Sequence, residues 1–434
     1  MPSGKVNTKA APVGLHQVFD EQEQAIINYL VHMTSPVSID TPTALIKSAA
    51  DALYACGDRE KAVTYYDHIL ESFEKKPPTN GNVAVFLDTV LKKVHLAGLL
   101  PPHGEEVSLL IKAAKTANHY QKWHFLARIE FEIIGALVNA GQLAGAFKCF
   151  KDFEMLATKT GDPNMLKMVA FSMAHPSFHK SGFSRIIHCY EEAIGGQEEF
   201  ENYEGALRRG TLVGWCYVVS GRIARGIGMI DTIRTKASLL NLHNIVICAD
   251  VMSVFVLLEM RKVFEAEALL GRISLPSGNK MFDHWTLWAI LISRAYILQT
   301  RKDYEGATEC HKKALEHRRF IGWTHMSFSW SLECLCALDG QSADAEINNM
   351  ITGDNIYTKG FAYRYRALRN TEKELPPTGI LADLRKSEKY LKTAGAEIEL
   401  ARTRIALGNY HLKKGETKVA QSYLAKAWSF FSKV

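Results

Sequence analysis

The sequence predicts an all-α protein, a right-handed superhelical α-solenoid of about ten helical hairpins, and three observations carry that prediction. Small residues that suit close helix–helix approach recur at Ala62, Ala146, Gly226, Ala266, Ala307, Ala345 and Ala420. Their spacing is about forty residues or about twice that. Each anchor sits in the same local pattern, an apolar helical stretch, a short polar turn and a second apolar helical stretch. Nowhere does a two-residue apolar alternation of useful length compete with the helical period.

The elements follow in order. Residues 1–17 are polar and read as a flexible leader, and the solenoid spans 18–434. Val18 to Met33 has the period of a first helix. Ser35-Pro36 breaks it, and Asp40 or Thr41 before Pro42 suits a new helix start, because proline is tolerated in the first turn. The stretch ending at Phe73 then gives the first hairpin, with Gly57 at its turn and Ala62, Tyr66 and Ile69 on its second helix. Copies follow with Gly141 and Ala146, with Gly221 and Gly226, with Ala266 and Leu270, and with Tyr304 and Ala307. A degenerate copy carries Gly340 and Ala345. Weaker hairpins around Val83–Ala117, Met165–Ala193 and Tyr357–Leu391 fill the double-length gaps. The last hairpin is the clearest. Its first helix runs from Glu397 to Lys413, Lys414-Gly415-Glu416 turns, and its second helix runs from Thr417 to Ser432. Gly408 and Ala420 allow close approach, and Leu407, Leu424 and Trp428 supply the apolar body. Trp428, Phe430 and Phe431 stand close to Val434, where a terminal repeat is expected to carry a polar cap face.

Composition bounds the function. The chain is 47% hydrophobic and 23% charged over 434 residues, a folding composition rather than a disordered one. With 52 basic and 46 acidic residues the net charge is +6, which permits an anionic partner without arguing for one. The eight cysteines have no framework spacing and read as buried, reduced thiols of a cytoplasmic protein. The most apolar run, Val251 to Met260, is far too short to span a bilayer.

Motifs that would carry chemistry are weak. His175 and His179 have a four-residue spacing, but Pro176 intervenes and no HExxH pattern is present. Cys334-x-Cys336 lacks both the CxxC spacing and a second pair. Gly226-x-Gly228 follows a helix and lacks the third glycine of a dinucleotide loop. No P-loop or nucleophile elbow occurs. The sequence therefore points to a protein that is not an enzyme and needs no metal or cofactor. Trp285, Trp288, Trp323 and Trp330 have helical spacings that suit a packed core. Arg208-Arg209 and the run FAYRYRALR, with Arg364, Arg366 and Arg369, read first as solvated faces. The tyrosine–arginine interleaving of the second also suits nucleic-acid contact, the alternative function.

The small-residue pattern around Gly408, Ala420 and Ala427 resembles the tetratricopeptide repeat, with Arg404 and His411 in place of its usual tryptophan and tyrosine. The stretch Leu381–Phe431, with AGAEIELARTRIALG and a closing AKAW, is similar to the repeat region of bacterial signal-transduction ATPases and enhancer-binding transcriptional regulators. The long period also resembles the sensor solenoid of the maltose regulon activator class. The resemblance implies either the isolated sensor part of such a regulator or a stand-alone relative that works with a separate regulatory ATPase or output domain, since neither lies in this chain. In the repeat family, first helices line a concave groove. Carrying that register over places Arg128, Asn139, Arg208, Trp215, Tyr296, Trp330, Arg402 and Asn409 in the groove. Arginine, amide and aromatic groups together suit an acidic or amide-rich peptide or a small anionic effector. The two tryptophans equally suit packing between hairpins. The expected function is a scaffold or sensor of a protein segment or effector, with no membrane partner.

Overall fold

The protein is described by a computed structural model, which covers residues 43–433 except 57, 98–103, 140–141, 164, 167, 170–171, 173–181, 195–203, 274–283, 322–327 and 375. The leader and first helix, His175, His179, Gly57, Gly141 and Trp323 lie outside the described residues.

Nineteen α-helices follow one another through the described residues, with no strand among them. They pair as antiparallel hairpins: α1 (Thr43–Cys56) with α2 (Arg59–Lys75), α3 (Val83–Ala97) with α4 (Gly104–His119), and α5 (Trp123–Asn139) with α6 (Leu143–Thr160). Helical residues within 163–172 precede α7 (Phe183–Ile194). Then come α8 (Glu204–Val219) with α9 (Ile223–Leu239), α10 (His243–Glu259) with α11 (Val263–Leu270), and α12 (His284–Thr300) with α13 (Tyr304–Ile321). The last three pairs are α14 (Ser329–Leu338) with α15 (Gly340–Thr352), α16 (Ile356–Glu372) with α17 (Pro377–Ala394), and α18 (Glu397–Lys413) with α19 (Thr417–Phe431). This is the predicted solenoid, and the bounds of the last hairpin agree with the sequence reading to one residue.

Local chemistry sets the helix ends. The Asp58, Asp339 and Asn355 side chains accept from backbone N–H groups in the first turns of α2, α15 and α16. Gly221 and Gly415 take the left-handed conformation in the turns inside their hairpins, with φ of 84° and 74°. The equivalent turns after α10 and α12 place Arg261 and Lys302 there instead, with φ of 62° and 67°.

The small-residue register holds at most anchors. Ala62, Ala146, Ala266, Ala307 and Ala420 are fully buried. At Gly408 a Cβ would lie 2.7 Å from the Leu424 side chain, which explains the glycine. Two expectations are corrected. Ala345 is exposed, and Ala343 takes the buried place, because Asp339 caps α15 early and Gly340 is its first residue rather than a free turn. Trp428 is 74% exposed, because it stands on the flank of α19 beside the buried line through Ala420 and Ala427.

First helices form the inner wall and second helices the outer. Each of α8, α10, α12, α14 and α16 touches the next first helix in the series. Two contacts skip further, α10 with α14 and α8 with α18, so the last six hairpins wind into a turn that closes on itself. Helix α10 lies at the centre. It is buried almost all round, with Val251, Val254, Phe255 and Leu258 at 2% exposure or less, as an all-round apolar helix must be. No described helix is long and apolar enough to cross a membrane.

Candidate functional site

Along the axis of the closed turn, the inner helices supply a column of aromatic rings. Trp215 of α8 meets Phe183, Phe328 and Tyr357 edge-on, with centroids 5.7, 5.3 and 5.8 Å away. Phe328 stacks on Trp330 at 5.2 Å, and Phe255 and Tyr296 close on Trp330 at 5.5 and 5.7 Å. Trp215, Tyr296 and Trp330 are therefore buried, and the Trp330 indole N–H has no partner there. Edge and offset stacking of this kind adds specificity to the burial itself.

A layer of buried charge lies against that column. Glu259 ends α10, and Glu399 and Arg402 sit in the first turns of α18; both glutamates are fully buried. Arg402 Nη1 donates to Glu259 Oε1 at 2.8 Å, and its guanidinium also bonds Glu399 and the Glu259 carbonyl. Ser329 Oγ donates to Glu399 Oε1 at 2.7 Å. Arg364 of α16 is 4% exposed, pairs with Glu399 at 2.5 Å and donates to its carbonyl at 3.2 Å. Outward of these, Arg261 bonds the Tyr296 hydroxyl and Glu333, and the Tyr365 hydroxyl donates to Glu333 at 3.0 Å. Arg261 holds a left-handed position, where a non-glycine residue costs about 1 kcal/mol.

The two carboxyls separate electrostatically. Burial lifts Glu259 to about 7 against the pull of Arg402, with Glu399 beside it adding to the rise. Glu399 is held well below the usual carboxylate range, because Arg364 and Arg402 outweigh its burial. The cysteines are not all the buried thiols expected, since Cys149, Cys189, Cys310 and Cys336 are half-buried, and the thiols move the other way from reactivity. Desolvation pushes Cys334 up to about 12 and Cys336 to about 11. Among the described residues no group of three or more His, Cys, Asp or Glu could hold a metal ion.

The sequence-predicted residues divide between two regions. Trp215, Tyr296, Trp330 and Arg402 come together at the closed axis. Asn409 is exposed, seven residues beyond Arg402 on α18. Arg128 and Arg208 are half-buried on α5 and α8. Asn139 is the last residue of α5, and its side chain lies outside the described residues. Helices α5 and α8 approach through Arg209, whose guanidinium lies 4.2 Å from the Phe131 ring and occupies the space a Cβ would need at Gly135.

Sequence reasoning missed Glu259, Glu399, Ser329 and Tyr357. A usable signal existed for the first, a lone acid closing an otherwise apolar run. The FAYRYRALR arginines are not the solvated face expected of them. Arg364 is buried with Glu399, Arg366 makes two 2.7 Å bonds to Asp383, and Arg369 bonds Asp344 at 2.6 Å. A second network also went unread: Lys47 and Lys92 alternate with Asp51 and Asp88 between α1 and α3, and the Tyr66 hydroxyl donates to Asp51 at 2.7 Å.

This arrangement defines a tetratricopeptide-like α-solenoid. Solved structures of similar fold include the Rap conjugation gene regulator of the plasmid pLS20 in complex with the Phr* peptide. Its identity is 13%, covering 67% of this chain and 80% of that one, with a TM-score of 0.50. The apo quorum sensor NprR from B. thuringiensis is 10% identical over 81% of this chain and 98% of its own, with a TM-score of 0.47. The Cut9–Hcn1 hetero-tetramer of the APC/C is 9% identical over 95% and 90%, with a TM-score of 0.44. At these identities the likeness is one of fold. No protein-family model and no curated protein matches the chain, so the resemblance to signal-transduction ATPase regulators has no family match behind it.

Proposed function

We propose that the chain is a non-enzymatic repeat scaffold that senses a protein segment or a small effector along its concave side, in bacterial signalling or transcription regulation. The observation that carries this reading is the composition of the inner wall, where half-buried arginines on α5 and α8 lead to an aromatic column and further arginines. Guanidinium groups held by packing are pre-organised for the carboxylates of an acidic segment, which they bind two-pronged. The peptide-bound Rap regulator, similar in fold, supports a peptide as the ligand class.

In this reading Arg128, Asn139, Arg208 and Asn409 meet the ligand first. Trp215, Tyr296, Trp330 and Arg402 form the deeper wall. The partner is a protein or peptide, and the resemblance of Leu381–Phe431 nominates a regulatory ATPase or output domain to receive the signal. Pairing of Arg364, Arg366 and Arg369 with carboxylates removes the observation that favoured nucleic acid.

The test is a fluorescence-anisotropy titration with labelled acidic and amide-rich peptides. Arg128→Ala combined with Arg208→Ala is expected to weaken the best acidic binder by about tenfold, or ~1.4 kcal/mol. Equal affinity for wild type and the double variant would refute the groove.

A further inference from the structure

The closed turn has a seam where hairpins distant in sequence meet, and the fit there is close. A Cβ at Gly182, just before α7, would lie 3.0 Å from the carbonyl oxygens of Thr393 and Ala394 at the end of α17. A Cβ at Gly221, in the α8–α9 turn, would lie 2.9 Å from the Phe430 ring of α19. The same closed turn carries a long-range polar crossing. Arg402 reaches Glu259 across 143 residues of sequence and holds both its carboxylate and its carbonyl.

We propose that the Glu259–Arg402–Glu399 cluster is a releasable clasp that closes the superhelical turn, and that closure takes up one proton on Glu259. Among the described residues, Arg402, Glu399 and Arg261 act on Glu259 directly, within a wider polar shell. Helix α18 presents Glu399 and Arg402, the turn after α10 presents Arg261, α14 presents Ser329 and Glu333, α16 presents Tyr357, Arg364 and Tyr365, and α12 presents Tyr296. Arg364 belongs to Glu399 and Arg261 to Glu333, so Glu259 shares the single guanidinium of Arg402 with a second buried carboxylate. Protonated, Glu259 is a donor to Glu399, and the cluster holds one charge fewer away from water.

Glu259 sits at about 7 in the closed turn, and in an opened, hydrated turn it returns to the ordinary carboxylate range near ~4.3. The closed form therefore carries a proton that the open form lacks between those values. Closure is favoured in mild acid and weakened as pH rises through 7. Nothing in this rests on the ligand reading above.

The experiment is small-angle scattering on the full chain from pH 5.5 to 8.5, with tryptophan emission recorded on the same samples to report Trp215 and Trp330. Wild type is expected to expand and to red-shift as pH rises toward 7, and to change little above it. Glu259→Gln keeps the uncharged shape and is expected to stay compact at both ends of the range. Arg402→Met breaks the crossing and is expected to be expanded throughout. A wild-type radius that does not change with pH overturns the proposal. So does a Glu259→Gln profile that follows wild type, because another group would then carry the titration. Should Arg402→Met fail to fold, the comparison of wild type with Glu259→Gln decides alone.

Discussion

Glutamates with raised pKa occur at two separate places on the inner helices, Glu259 fully buried and Glu130 half-buried. Glu130 of α5 is pushed up to about 7 by burial first and by Asp152 of α6 second. Its pKa is raised above the unfolded value, so its favourable contribution is complete below about 4.3 and is lost as pH rises through 7. Glu130→Gln removes that loss. It is expected to be more stable than wild type by ~1–3 kcal/mol at pH 8, with a smaller difference at pH 5. Urea unfolding at the two pH values measures this, and parallel pH slopes for the two proteins would contradict the assignment. The thiols contribute no comparable switch, because burial raises Cys216, Cys334 and Cys336 away from the thiolate form.

At the scale of the helix, the last hairpin shows what one stretch of sequence specifies. Ala420 is fully buried against α18, so Ala420→Leu is expected to overpack that contact and cost ~1–3 kcal/mol. Trp428→Ala, on the exposed flank of the same helix, is expected to change stability by no more than about 0.5 kcal/mol. Melting curves of the two variants separate buried line from flank; equal shifts would mean the register is wrong. The bounds of α18 and α19 were legible because Gly415, the polar turn and the small anchors all report on neighbours close in sequence. The same signals misled at Ala345, where a side-chain cap on Asp339 moves the start of α15 and no glycine turn marks it. The charge layer was not legible at all. Periodicity shows that Arg402 and Glu399 fall on a helix, but nothing local to either shows that Glu259 waits beside them. The candidate tryptophans were correctly placed on inner helices; that they would fill the axis depends on the curvature of the stack, which no single hairpin encodes.

Over the whole molecule, the closed turn departs from the one-dimensional behaviour of repeat arrays, in which each unit is stabilised only by the next. Helix α8 touches α18, and Glu259 of α10 is paired from α18, so hairpins far apart share their stability. Removing residues 397–434 is expected to lower amide protection in α8 and α10, not only in the adjoining α16 and α17. Native-state hydrogen exchange reads this directly. Protection lost only next to the cut would return the protein to the nearest-neighbour picture. The same truncation is a state every copy of the chain passes through. Synthesis runs from the N-terminus at about 5–20 residues per second, so α10 emerges well before the guanidinium that pairs its terminal carboxylate. For those seconds the most apolar helix in the protein ends in an unpaired acid that resists burial. Docking of α10 is therefore expected to wait for the hairpin that carries Arg402, a delay that pulse-labelling hydrogen exchange during refolding would reveal.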